Sequence, residues 1–151
     1  TRVLADTFGS FGGFAEYAVA KADQWVPVPD LLSDEAAASL PQSGTIALTA
    51  VEGVSPGMRV LINGGGGGTG PLAIQMAKMR GAHVTAVDSA NKAEVMRLSG
   101  ADAILDYRRT DFAATREAMG AGKAPPLPPF STITATAMHG FSTGAKPTNR
   151  A

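Results

Sequence analysis

The chain has 151 residues, the size of one ordinary domain, with 13 Lys plus Arg balancing 13 Asp plus Glu. That balance argues against a dedicated nucleic-acid or anionic-membrane surface, and the absence of Cys excludes a disulfide scaffold, cysteine-ligated zinc and a cysteine nucleophile. No apolar run approaches the ~20 residues of a membrane span and nothing at Thr1 reads as a signal peptide; these leave the compartment open, with the cytoplasm the expected one.

Residues 1–29 read as strands and turns. Phe14, Tyr17, Val19, Trp25, Val26 and Val28 are β formers, separated by Gly12-Gly13, Pro27 and Pro29. Ser33 is a good N-cap, and Asp34 and Glu35 suit the first turn of a helix over 34–40 that Pro41 interrupts. A second helix is expected over 44–52, before a Ser55-Pro56-Gly57 turn. Residues 59–63 form an apolar run of the kind buried on both faces of a parallel sheet. From 71 to 80, Leu72, Met76 and Met79 recur at helical spacing beside Ala73 and Ala77, with Pro71 at the start and Gly81 as the stop. A second strand follows at 83–87. Asn91 and Glu94 then open a helix that Gly100 ends, and a third strand covers 103–105. Strand, helix, strand, helix, strand with short turns predicts parallel strands joined by right-handed crossovers. Beyond about residue 112 the pattern weakens. Residues 120–129 are rich in Gly and Pro, one strand is expected near 131–137, and otherwise the last ~35 residues are expected to lack regular structure.

Six of the 18 glycines fall within residues 64–70. Gly65, Gly67 and Gly70 occupy the three positions of G-x-G-x-x-G, with Gly68 and Thr69 between the last two. The first glycine permits the tight turn out of the strand. The second lets the backbone approach a pyrophosphate, and the third lets helix and strand pack closely. A phosphate would then meet free N–H groups and the positive end of the helix dipole. A flexible glycine linker would have the same composition, but this run follows an apolar strand and opens an amphipathic helix. Asp88 ends the second strand near the ~20-residue spacing of the acidic ribose ligand in such folds; it would accept from the ribose diol of NAD and repel the 2′-phosphate of NADP. A strand-end Asp that merely caps the next turn is the alternative. No Lys follows the loop in a G-K-[ST] arrangement, which disfavours a nucleoside-triphosphate site.

Several segments together resemble the medium-chain dehydrogenase/reductase superfamily, in its quinone-oxidoreductase-like, zinc-independent branch. They are Gly12-Gly13-Phe14-Ala15-Glu16-Tyr17, Leu32-Ser33-Asp34-Glu35-Ala36-Ala37-Ala38, the run from Gly44 to Leu48, Val60-Leu61-Ile62-Asn63-Gly64, Ser99-Gly100-Ala101-Asp102 and Asp106-Tyr107. The resemblance spans roughly residues 9–112. It implies an α/β fold, a partial Rossmann βαβαβ unit with a parallel sheet, preceded by the end of a GroES-like β domain. The implied boundaries are 1–40 for the GroES-like remnant, 41–115 for the first half of the nucleotide-binding domain and 116–151 for a proline-rich tail.

The resemblance further implies an NAD(P)H-dependent oxidoreductase moving a hydride between nicotinamide and a small carbonyl, enone or quinone, without metal, with a homo-oligomer possible for the full-length form. The branch's NADPH pattern falls here on Ser89, Lys92 and Tyr107, three phosphate-friendly groups set against the unfavourable Asp88, which gives a slight lean to NADP(H) over NAD(H). Members often carry Ala-Ser at Gly65-Gly66, Val at Thr69 and Thr at Ile46, and their fourth strand is not recognisable after Phe112. These departures imply an incomplete version of the enzyme, with a non-catalytic nucleotide-binding remnant as the alternative. His83 reads as a strand residue and His139 has no partner in sequence, so no catalytic residue is assigned.

Overall fold

The computed structural model describes residues 1–7, 9, 11–111 and 114, and the backbone of 130–134. Strands β1 (Val3–Leu4) and β2 (Val26–Pro27) pair antiparallel, with a 3-10 turn at Ala22–Gln24 between them. Helices α1 (Asp34–Ala38) and α2 (Pro41–Ala50) follow. The α/β unit then runs β3 (Arg59–Asn63), α3 (Gly70–Met79), β4 (His83–Asp88), a 3-10 turn at Ala90–Lys92, α4 (Ala93–Leu98) and β5 (Ala103–Asp106); β6 (Phe130–Thr134) completes the described chain. The α/β class and the partial Rossmann unit expected from the sequence are both present.

The sheet order is β5-β4-β3-β6, and every pairing is parallel. The chain therefore steps outward from β3 through β4 to β5 and later returns to pair on the other side of β3. In open α/β sheets the crevice at that reversal, beyond the carboxyl ends of the strands, is where ligands bind. The loop after β3 leaves the sheet at that point.

Alternation along the strands builds the core. Val60 and Ile62 of β3 and Val84 and Ala86 of β4 face one way and are fully buried, packed with Ala47 of α2, Val51 just after it, Ala73, Ile74 and Ala77 of α3 and Met96 of α4. Leu61 and Val87, on the opposite face, are also fully buried, as expected for strands covered on both sides. The Ser33 hydroxyl caps α1 by accepting from the Ala36 N–H at 3.2 Å.

Two expectations need correction, and a third is met. Pro41 does interrupt α1, but it also begins α2, three residues before the expected start. Proline lacks the N–H that a first-turn position leaves unpaired and already holds a helical φ. The β formers Phe14, Tyr17 and Val19 lie in no strand and are largely exposed. Strand propensity expresses packing on a paired surface, and residues 11–20 pair with none. Finally, the tail contributes a strand at 130–134, close to the one expected at 131–137, and it forms a full five-residue ladder with β3. The remainder of the tail, His139 included, falls outside the described residues. Among the described residues no helix is long and apolar enough to cross a membrane.

Candidate nucleotide-binding site

The site is built where β3 gives way to α3. The Gly64 and Gly65 N–H groups both donate to the Val87 carbonyl, at 2.9 and 3.0 Å, prolonging the β3–β4 ladder into the loop. Gly64 then turns the chain with φ +80°, a left-handed value that favours glycine. A turn closes as the Gly67 N–H donates to the Gly64 carbonyl at 3.0 Å.

The tight turn thus belongs to Gly64, not to Gly65 as expected from the motif. Gly65 provides clearance instead: a Cβ there would lie 2.9 Å from Ala86 Cβ and 3.0 Å from Met96 Sδ. Gly67 has room, since a Cβ would approach only the Gly64 carbonyl, at 3.4 Å, and one on Gly68 would meet only Ser43 Oγ, at 3.8 Å. Gly70 has none: a Cβ would run into the carbonyls of Gly64 and Gly65. Helix α3 therefore packs against the loop in the way the last motif glycine allows.

Thr69 precedes α3, but its side chain makes no capping bond. The N–H groups of Gly68 and Thr69 donate to nothing among the described residues. Unpartnered donors at the amino end of a ten-residue helix suit an anionic oxygen, because the N–H groups and the helix dipole act together. The chain's donors and small residues therefore fit a dinucleotide pyrophosphate.

Asp88, at the carboxyl end of β4, is buried. Its Oδ2 accepts from the Gly66 N–H at 3.0 Å and its Oδ1 from the Ser89 N–H at 2.8 Å. Lys92 Nζ lies 3.3 Å from both carboxylate oxygens. Burial works to raise the Asp88 carboxyl. The Ser89 and Gly66 N–H groups and the Lys92 ammonium outweigh it and hold the group below the ordinary carboxylate range. The Ser89 hydroxyl donates to Asn91 Oδ1.

Gly66, Asp88, Ser89 and Lys92 therefore form one contact set beside the loop. Tyr107 is not part of it. Asp88 is in register with Asp106 of β5, which places Tyr107 one residue beyond that level, half-exposed, with the Arg108 guanidinium 5.8 Å from its ring centroid. His83 opens β4 with an exposed side chain, 3.9 Å from Asp102, on the strand end away from the loop. Among the described residues no group of three or more His, Asp or Glu is placed to hold a metal ion.

Sequence reasoning missed Gly64 and Gly66. In a run of six glycines composition cannot say which are required. Only the left-handed φ of Gly64 and the closeness of Lys92 to Gly66 separate them.

The zinc-binding dehydrogenase family matches residues 68–126. The chain is 36% identical over 117 residues to a chloroplast envelope quinone oxidoreductase homolog of Arabidopsis thaliana, covering 72% of this chain and 36% of that protein. It is 33% identical over 123 residues to a trans-enoyl reductase of Aspergillus terreus, covering 76% of this chain and 33% of the relative. Among solved structures, a mycobacterial protein complexed with NADPH superimposes with a TM-score of 0.60 at 35% identity, over 68% of this chain and 33% of that one. The chain thus spans about a third of the length of the curated relatives it matches.

Proposed function

The chain belongs to the medium-chain dehydrogenase/reductase superfamily, among its quinone-oxidoreductase-like members, and on that premise we propose that it binds a nicotinamide dinucleotide for hydride transfer to a small carbonyl, enone or quinone. One observation carries the reading: the glycine loop leaves β3 where the strand order reverses, with N–H groups at Gly68 and Thr69 that have no partner among the described residues.

Gly67, Gly68, Thr69 and Gly70 would hold the pyrophosphate, Gly65 would keep the loop seated on β4 and α4, and Asp88, Ser89, Lys92 and Tyr107 would border the adenosine ribose. The bound nicotinamide supplies the hydride; the chain's residues anchor and orient the dinucleotide. We assign no residue to proton transfer. For the choice of cofactor, Ser89, Lys92 and Tyr107 favour a 2′-phosphate and Asp88 opposes one. The balance turns on whether Lys92 stays with Asp88.

Titration of the chain with NADH and NADPH, followed by a search for nicotinamide oxidation with quinones, enones and aldehydes, tests the proposal. Saturable binding with turnover supports it. Binding without turnover favours a nucleotide-binding unit that does not catalyse by itself. No binding of either dinucleotide contradicts both.

A further inference from the structure

We propose that Asn63 is a spontaneous modification site where β3 enters the glycine loop: the Gly64 nitrogen displaces its side-chain amide as ammonia, and the hydrogen bond from the Gly64 N–H to the Val87 carbonyl is the restraint that holds the reaction back. The inference concerns the chemistry of the loop itself and does not depend on what the loop binds.

The sequence supplies the reactive pair. The chain has three asparagines, and only Asn63 is followed by glycine. A glycine on the carboxyl side puts no side chain beside the attacking nitrogen and lets the backbone reach the bent geometry that ring closure needs. The Gly64 nitrogen gives up its proton to a base in solvent and bonds to Asn63 Cγ. The bond from that carbon to the amide nitrogen breaks, and the nitrogen takes up a proton and leaves as ammonia. Water then opens the cyclic imide at either of its carbonyls, giving aspartate or isoaspartate. The net reaction consumes water and releases ammonia, with nothing oxidised or reduced and no co-reactant beyond solvent.

The structure decides how often the pair can react. Asn63 ends β3, half-buried and in register with Val87 of β4 and Thr134 of β6. On a strand the side chain stands out of the sheet, whereas the N–H groups lie in it. The Gly64 N–H keeps to that plane: it donates to the Val87 carbonyl at 2.9 Å, and the Gly65 N–H shares the same acceptor at 3.0 Å. A nitrogen so engaged neither loses its proton to solvent nor turns toward Asn63 Cγ. The Asn63 side-chain amide makes no hydrogen bond among the described residues, so the fold restrains the nucleophile and not the carbon it attacks. Reaction therefore proceeds through local opening of the Gly64–Val87 bond. Both products damage the loop. Isoaspartate routes the main chain through its side-chain carbon and lengthens the link to Gly64, which carries the Gly64 and Gly65 donors away from Val87. Aspartate adds a negative charge where β3 enters the loop.

The test incubates the full chain at mildly alkaline pH and follows Asn63 by peptide mass spectrometry with isoaspartyl methyltransferase labelling. Asn91, which precedes Lys92, is the internal reference. Unfolded in guanidinium chloride, Asn63 should convert faster than Asn91. Folded, it should convert more slowly than in the unfolded chain by about tenfold or more. Hydrogen exchange at the Gly64 amide needs the same opening. Exchange there and conversion of Asn63 should therefore rise together in guanidinium chloride below the unfolding transition. They should also rise together in Gly70→Ala, whose side chain would run into the carbonyls of Gly64 and Gly65. If Gly70→Ala does not fold, the graded denaturant series on wild type makes the same comparison. The inference is overturned if Asn63 converts no faster than Asn91 in the unfolded chain, or if folded and unfolded chains convert alike. It is also overturned if Gly64 exchange rises and conversion of Asn63 does not follow.

Discussion

No side chain fits between Gly70 and the carbonyl of Gly64. A Cβ on Gly70 would collide with that oxygen and with the carbonyl of Gly65. Both obstacles are backbone, held in place because the N–H groups of the same two residues bond Val87. Gly70→Ala must therefore move α3 or break the loop, and should destabilise the chain by about 1–3 kcal/mol or more. Gly65→Ala should cost less, since its nearest obstacles include the flexible Met96 side chain. Urea unfolding of the two variants checks the order; equal cost would show that the loop yields.

Met96 is fully buried against the core face of the sheet and lies next to the place a Gly65 side chain would take. Met96→Ala should cost about 2–5 kcal/mol in unfolding free energy. It should also make Gly65→Ala less costly in the double variant, because the space it needs is then vacant. A double-mutant cycle reads that coupling directly.

Asp102, just before β5, ties α3 to β4. Its carboxylate accepts from Lys78 Nζ of α3 at 2.7 and 2.8 Å and from the Val84 N–H of β4 at 2.6 Å. Burial tends to raise its carboxyl, but the Lys78 and Val84 bonds and the charges of His83 and Lys78 lower it on balance. Asp88 is lowered likewise. A carboxyl whose folded value is depressed contributes stability above its unfolded value and loses that contribution as pH falls through the folded one. Unfolding free energy should therefore fall with acidification from about pH 4 downward, the range where unfolded carboxylates begin to protonate. Asp102→Asn should flatten part of that slope, and denaturation midpoints across the acid range measure it. An unchanged slope would show that Asp102 titrates alike in both states.

The α/β unit was legible because its signals are local. The apolar run at 59–63, the helical spacing of Leu72 and Met76 and the glycine stop at 81 match β3, α3 and its end closely. The pairing of β6 with β3 was not legible, since strand order depends on contacts between residues far apart in sequence. The candidate site divides the same way. Spacing pointed to Asp88 and Gly70. The turn at Gly64 and the ion pair between Asp88 and Lys92 appear only once the backbone is fixed. Lys92 in particular reads from sequence as a free cation for a phosphate, yet it spends its charge on the neighbouring carboxylate.

The most direct test of the account is dinucleotide binding by wild type and Gly67→Val. A Cβ at Gly67 meets only the Gly64 carbonyl at 3.4 Å, so the variant should keep its fold, while the added methyl groups take the space a pyrophosphate needs. The account predicts saturable NADH or NADPH binding by wild type, and its loss in Gly67→Val with an unchanged thermal transition. Equal affinity in the two proteins would remove the glycine loop from the binding site.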